Sequence, residues 1–198
     1  EIRNGSFMIF DMGGGTLDVA IANCVNGEVD VIAHGGVAMC GGTDIDRKIV
    51  DNIIKPWLLD NDDYDIPDNF MEYEKYRKMM SRVRFLAEEA KIALSSDETA
   101  EIYSALGRDI TDENDEEIEL DIEIGRDEKN RLMNGILLEA IECARETVKK
   151  SGIPISDFEG VVFIGGPCNY KCLRDYVARE LGMKILGLDV INPMTAVA

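Results

Sequence analysis

Three consecutive glycines stand between two strand-like runs in "MIFDMGGGTLDV", Met8–Val19, and this interruption limits the possible folds more than any other stretch. Before it, Met8–Phe10 is apolar and ends at Asp11; after it, Leu17, Asp18, Val19, Ala20, Ile21 and Ala22 alternate at the strand period. Glycine cradles for phosphate in the common nucleotide folds lead from a strand into a helix. Here a second strand follows, so the glycines read as the tip of a β-hairpin. Gly13, Gly14 and Gly15 let backbone amides approach a ligand without Cβ obstruction. Asp11 can hold a hydrated Mg2+ or orient a water, and Thr16 can donate to a phosphate oxygen. The alternative is a tight hairpin that merely needs glycine, for which one would usually suffice.

Two further glycine pairs have the same double meaning. Gly41-Gly42 opens "TDIDRKI", where a helix N-terminus attracts anions through its amides and dipole, although a glycine before an N-cap is common. Gly165-Gly166 follows the buried-type strand "GVVFI", where close approach of a ligand is possible, although strand-to-helix turns often carry glycine. The chain holds no G-x-x-x-x-G-K-[ST] motif, which excludes a P-loop, and the spacing is not that of an ordinary dinucleotide site.

The remaining pattern predicts strands at Phe7–Phe10, Leu17–Cys24 and Val29–Ala33, the last two joined by the Asn26-Gly27 turn. Thr43, with Asp46 three residues on, predicts a capped helix ending at Pro56. Residues 60–70 read as an acidic loop. Tyr73, Tyr76, Met80, Val83, Ala87, Ala90 and Leu94 predict a long amphipathic helix. Strands near Thr99–Leu106 and Ile118–Ile124 flank the acidic "RDITDENDEE", read as a solvated turn. A helix over Asp127–Ser151, a buried strand, a helix closed by Gly182 and a last strand "KILGLDV" complete the order. The class is α/β with a mixed sheet, and the stretch from Gly41 to Gly125 is expected to form an insertion.

Charge and composition exclude several functions. A net charge of -18 opposes a direct grip on nucleic acid or an anionic membrane. Five scattered cysteines without a C-x-x-C pair, and the single His34, argue against zinc and against a disulfide framework. The cysteines read as small hydrophobes in a reducing cytoplasm. A first residue that is Glu1, and an apolar end without a cap, suggest a piece of a longer protein.

"FDMGGGTLDVAI", "CGGTDIDRKIV", "LAEEAKIALSS", "GVVFIGGPCNYKCLRD" and "NPMTAVA" occur in this order and resemble the second half of the nucleotide-binding domain of the DnaK family, the seventy-kilodalton heat-shock chaperones. The resemblance covers essentially the whole chain. It implies an actin-like ATPase lobe, ribonuclease H-like, with a mixed sheet. Residues 1–40 and 126–198 would form the core and 41–125 an inserted α+β subdomain. Asp11 would lie near Mg2+ and the attacking water, and Gly13, Gly14, Gly15 and Thr16 would contact the β- and γ-phosphates of ATP or ADP. Gly42 would lie beside the sugar and phosphates. Glu88, Lys91 and Ser95 would reach ribose and adenine, with Ile92 covering the base; the plain reading of Glu88 and Lys91 is a surface ion pair. Gly165, Gly166 and the neighbouring Asn169 would form the other side of the adenosine slot.

Where the family has Ser-Thr-Arg after the double glycine, this chain has Pro167, Cys168 and Asn169, and Met194 replaces an acid after Asn-Pro. The expected result is a phosphate grip better preserved than the base grip. The family also implies a J-domain cochaperone, a nucleotide-exchange factor that holds the inserted subdomain, and client peptides. Hydrolysis would need a first lobe whose motifs this chain lacks, so the chain alone is expected to be nearly inactive. A sugar kinase of the same superfold, or a non-catalytic interaction module or actin-like filament protein, are the competing readings.

Overall fold

A computed structural model of the chain describes residues 4–105, 111–114 and 116–187. The final motif with Met194, and the end of the last predicted strand, lie outside the described residues. The chain divides into two compact units, one of residues 1–44 and 134–198, the other of residues 45–133.

In the first unit, β1 (Gly5–Met12), β2 (Thr16–Val25) and β3 (Glu28–Ala38) form an antiparallel meander. Asn26 and Gly27, both at positive φ, make the two-residue turn that the Asn-Gly pair predicts. β6 (Phe158–Ile164) lies parallel to β1, and β7 (Ile185–Leu186) parallel to β6, giving the order β3-β2-β1-β6-β7. The mixed sheet of the α/β reading is therefore present. Its middle strand β1 is buried along Phe7, Met8, Phe10 and Met12, and the rings of Phe10 and Phe163 meet tilted, with centroids 5.4 Å apart. Burying such side chains stabilises by about 2 kcal/mol each, which fixes which strand ends meet at the site. α4 (Arg126–Ser151) reaches this unit from Asn134 onward, and its Thr147 packs so closely on Gly35 of β3 that any side chain there would collide. α5 (Lys171–Leu181) ends at Gly182, whose left-handed φ of 67° closes the helix as the sequence predicts.

The second unit begins within α1 (Gly42–Ile49) and continues through a π-helical turn, Val50–Ile54, into α2 (Lys55–Asp60). Here the predicted end at Pro56 is corrected. Proline lacks an N–H and its ring crowds the carbonyl one turn back. The helix accommodates it by widening, with the Lys55 amide donating to Val50 O, and runs on to Asp60. α3 (Glu74–Ala93) buries Tyr76, Met80, Val83, Ala87 and Ala90, while Tyr73 stands before the helix, exposed, edge-on to Tyr76. β4 (Thr99–Ala105) pairs antiparallel with β5 (Glu119–Gly125). Alternation in β5 buries Leu120, Ile122 and Ile124 and leaves the acids wet.

The acidic stretch is a solvated turn only in part. Asp112 is 1% exposed. Its carboxylate accepts the amides of Asp65, Asn114 and Glu116 at 2.8–2.9 Å, and so joins the loop after α2 to the stretch before β5. Lys75 pairs with Glu113 at 3.0 Å, and the Tyr76 hydroxyl donates to the same carboxylate. Burial pushes Asp112 up, but the three amides outweigh it and hold the carboxyl below the ordinary range; Lys75 and then Tyr76 hold Glu113 down. A carboxylate depressed in the folded state stabilises above its unfolded pKa, about 4, and loses that contribution as pH falls through the folded value. Urea midpoints measured from pH 6 to pH 3 should therefore fall steeply for the native chain and less steeply for Asp112→Asn.

Candidate functional site

β1 and β2 meet at the glycine hairpin, and three consecutive carbonyls of that hairpin point into the protein. Gly13 O accepts the Gly42 amide at 3.0 Å, Gly14 O the Thr43 amide at 2.6 Å, and Gly15 O the Met39 amide at 2.8 Å. A trans peptide directs its N–H opposite to its C=O. The N–H groups that follow the first two carbonyls, on Gly14 and Gly15, therefore point outward. Both glycines are exposed, and among the described residues neither amide has a hydrogen-bond partner. Adjacent outward amides with no Cβ beside them present two donors that suit an anion. The Gly13 amide closes the tip by donating to Thr16 O at 2.9 Å.

The second glycine pair is part of the same structure. The predicted capping by Thr43 is corrected: Thr43 lies inside the first turn of α1, and the side chain that reaches back is that of Asp44, which accepts the Gly41 amide at 3.0 Å. The reason is tertiary, because the hairpin carbonyls draw the amides of Gly42 and Thr43 to themselves. A Cβ on Gly41 would stand 2.6 Å from both Gly13 O and Gly14 O. The helix start thus braces the hairpin, and the Gly42 amide is engaged there.

The third pair lies beside the end of β1. Asp11 is level with Ile164 across the parallel pairing, and Gly165 follows with φ of 93°. A side chain on Gly165 would run into the carbonyl of Met12, whereas one on Gly166 would meet nothing. Asp11 itself is half-buried and faces Asp18 across the β1–β2 pair; burial, and then the Asp18 charge, raise its carboxyl above the ordinary range. The Thr16 hydroxyl lies 3.5 Å from Asp18 Oδ2. Pro167 enters a short 3-10 turn, Asn169 is exposed, and Cys168 is buried with Sγ 3.9 Å from Phe10 O. Burial pushes the Cys168 thiol up to about 11 and the Cys40 thiol up to about 12, so both are inert thiols at neutral pH.

One unit therefore brings Asp11, Gly13–Thr16, Gly42, Gly165, Gly166 and Asn169 into one neighbourhood of the β1 end. Glu88, Lys91, Ile92 and Ser95 lie in the second unit, on and just after the last turns of α3. Glu88 and Ile92 are exposed one turn apart on α3, and Ser95 is exposed in the turn just after it. Lys91 is different: its ammonium pairs with Asp46 of α1 at 2.7 Å, with side chains 15% and 9% exposed. The surface-pair reading of Glu88 with Lys91 thus gives way to a mostly buried pair with another partner.

Sequence reasoning missed Met39, Arg126 and Lys129, and it gave Asp46 a place in the cap of α1 rather than a pair with Lys91. Met39 carried no signal, since only its amide acts. Lys129 carried one: it occupies the apolar register of α4 four residues before Met133, and it is fully buried. Among the described residues no group of three or more His, Cys, Asp or Glu is placed to hold a metal, and no helix is long and apolar enough to cross a membrane.

Residues 3–198 match the family model described as Hsp70 protein. The chain is 29% identical over 197 residues to "Chaperone protein DnaK 3" of Synechococcus sp., covering 99% of this chain and 29% of that protein. It is 31% identical to "Chaperone protein dnaK3" of Synechococcus elongatus, covering 95% of this chain and 24% of that protein. The chain thus spans a quarter to three tenths of the length of these relatives.

The glycines separate by what a methyl group would meet. Gly41→Ala and Gly165→Ala should each destabilise by about 1–3 kcal/mol through collision with backbone carbonyls. Gly166→Ala should stay within about 0.5 kcal/mol of the native chain. Thermal melting of the three variants checks the order.

Proposed function

The chain belongs to the Hsp70 protein family, and on that premise we propose that it is the ATP-binding half of a DnaK-like chaperone ATPase. The observation that carries this reading is the pair of outward amides on Gly14 and Gly15, held by the inward ties of the three hairpin carbonyls. Such a seat needs no rearrangement to receive a phosphate, which is the property that stabilises a transferring phosphoryl group. Thr16, exposed beside it, supplies a hydroxyl donor.

Mg2+ fits the same place. Asp11 and Asp18 stand opposite each other on adjacent strands, an arrangement of like charges that is unfavourable unless a cation intervenes. Mg2+ keeps several waters and takes one or two carboxylates together with substrate phosphates, and these two acids beside an anion seat offer that. When bound it would neutralise phosphate charge. Asp11 would hold its water shell and the attacking water, and the hairpin amides would hold the β- and γ-phosphates.

In the first unit, Gly42, Gly165, Gly166 and Asn169 are assigned to the nucleoside and sugar, where the open side of Gly166 leaves room for a ligand. In the second unit, Glu88, Lys91, Ile92 and Ser95 are assigned to ribose and adenine. The domain division proposed is 1–40 with 126–198 as the ATPase core and 41–125 as the insertion. Turnover is assigned to the intact protein, where a further lobe completes the charge neutralisation. A J-domain cochaperone, a nucleotide-exchange factor, client peptides and a cytoplasmic setting belong to the same proposal. The second reading, a non-catalytic module, draws on Pro167, Cys168 and Asn169, which put no cation in the three positions directly after Gly166.

ATP turnover by the intact protein decides between them. Asp11→Ala should lower the steady-state rate by about a hundredfold or more while melting stays close to native, because the lost carboxylate is a partly desolvated one. An unchanged rate would remove the role given to Asp11. No turnover in the native protein, with stable fold, would favour the non-catalytic reading.

A further inference from the structure

The end of α3 is clamped by two cations that occupy an electrostatically unfavourable place on their own helix. Arg126 and Lys129 lie in the first turns of α4, where the helix dipole favours acids such as Asp127 and Glu128. Both cations turn to the chain that leaves α3. Arg126 donates from Nε to Asp97 O at 2.9 Å and from Nη2 to Ser96 O at 2.6 Å, and its amide donates to Glu98 O at 2.8 Å. The Lys129 ammonium donates to Leu94 O at 3.0 Å and is 1% exposed. A buried ammonium is tolerated only where polar partners replace its water, and helix C-terminal carbonyls are the backbone groups that cations suit best.

Ser95 lies between the clamped carbonyls of Leu94 and Ser96, and its hydroxyl donates to Lys91 O at 3.3 Å. We infer that Lys129 and Arg126 are positioning residues: by fixing the carbonyls on both sides of Ser95 they set the place of its hydroxyl and of the last turn of α3 that carries Lys91 and Ile92. Both act through the backbone of that turn, and no ligand contact is assigned to either. The inference rests on the nucleoside role proposed for that turn, and it adds two residues that would tune affinity for the nucleoside while leaving the phosphate seat alone.

The test uses the intact protein with Lys129→Met, which keeps the length and removes the donors, and Lys129→Arg, which restores them. Arg126→Gln, at a half-exposed position, gives the same readout should Lys129→Met not fold. The amides of Ser95, Ser96 and Asp97 donate to Ile92 O and Ala93 O and so report on this turn by hydrogen exchange. In Lys129→Met these should exchange about tenfold faster while Ala87 and Ala90 within α3 keep their protection, ADP should bind about tenfold more weakly, and pyrophosphate should bind as in the native protein. Lys129→Arg should recover exchange and ADP affinity together. Unchanged exchange at residues 95–97, faster exchange throughout α3, or equal weakening of pyrophosphate would overturn the inference. A native protein that binds no ADP while the exchange effect stands would instead overturn the nucleoside reading and leave the clamp in place.

Discussion

The hairpin at Gly13–Gly15 depends on where its carbonyls go. Three consecutive acceptors are taken by the amides of Met39, Gly42 and Thr43, and planarity of the peptide turns the intervening donors outward. Remove those ties and a triple glycine is the most mobile sequence available, with a large entropic cost to order. With them, the same glycines become a fixed pair of donors. The ordering is provided by other segments, the end of β3 and the start of α1, and these need to arrive within hydrogen-bond distance. Gly41 permits that approach on one side, and Gly165 permits the approach of the β6 turn to Met12 on the other.

This local arrangement also explains how an anion seat can exist on a chain with a net charge of -18. Long-range repulsion is screened over about 8 Å at physiological ionic strength, while amides in contact with a ligand act at hydrogen-bond distance. Asp11 and Asp18, opposite each other on β1 and β2, are the two acids to which the proposed cation is assigned. In the second unit the same acidity is managed differently: Asp112 uses backbone amides and Glu113 uses Lys75 and Tyr76, so these acids serve to tie loops together.

Elements set by local periodicity were legible in the sequence. The strand alternation in Leu17–Ile21, the Asn26-Gly27 turn, the apolar face of α3 and the glycine after α5 all reappear where the pattern puts them, because each depends on neighbours within a few residues, whereas an irregularity in the β2–β3 pairing buries Ala22 next to Ile21. What failed depended on contacts from farther along the chain. Pro56 reads locally as a helix end, yet burial of Ile54 and Leu58 on either side holds the helix together and the backbone widens into a π turn. Thr43 reads as a cap, but the hairpin captured its amide. Asp112 reads as one acid among many, and only three converging amides make it a buried fastener.

The sequence by itself determined that a glycine hairpin, rather than a loop leading into a helix, would offer backbone donors, since the residues after Thr16 alternate at the strand period and nothing distant can change that. Its five ordered motifs likewise carried the family. Only the tertiary structure decided which way the hairpin amides point, that Lys91 pairs with Asp46, and that Lys129 lies buried against the end of α3. The physical reason is that a backbone donor or a long cationic side chain takes its direction from whichever acceptor folding brings within about 3 Å, and that partner is not written next to it in the chain.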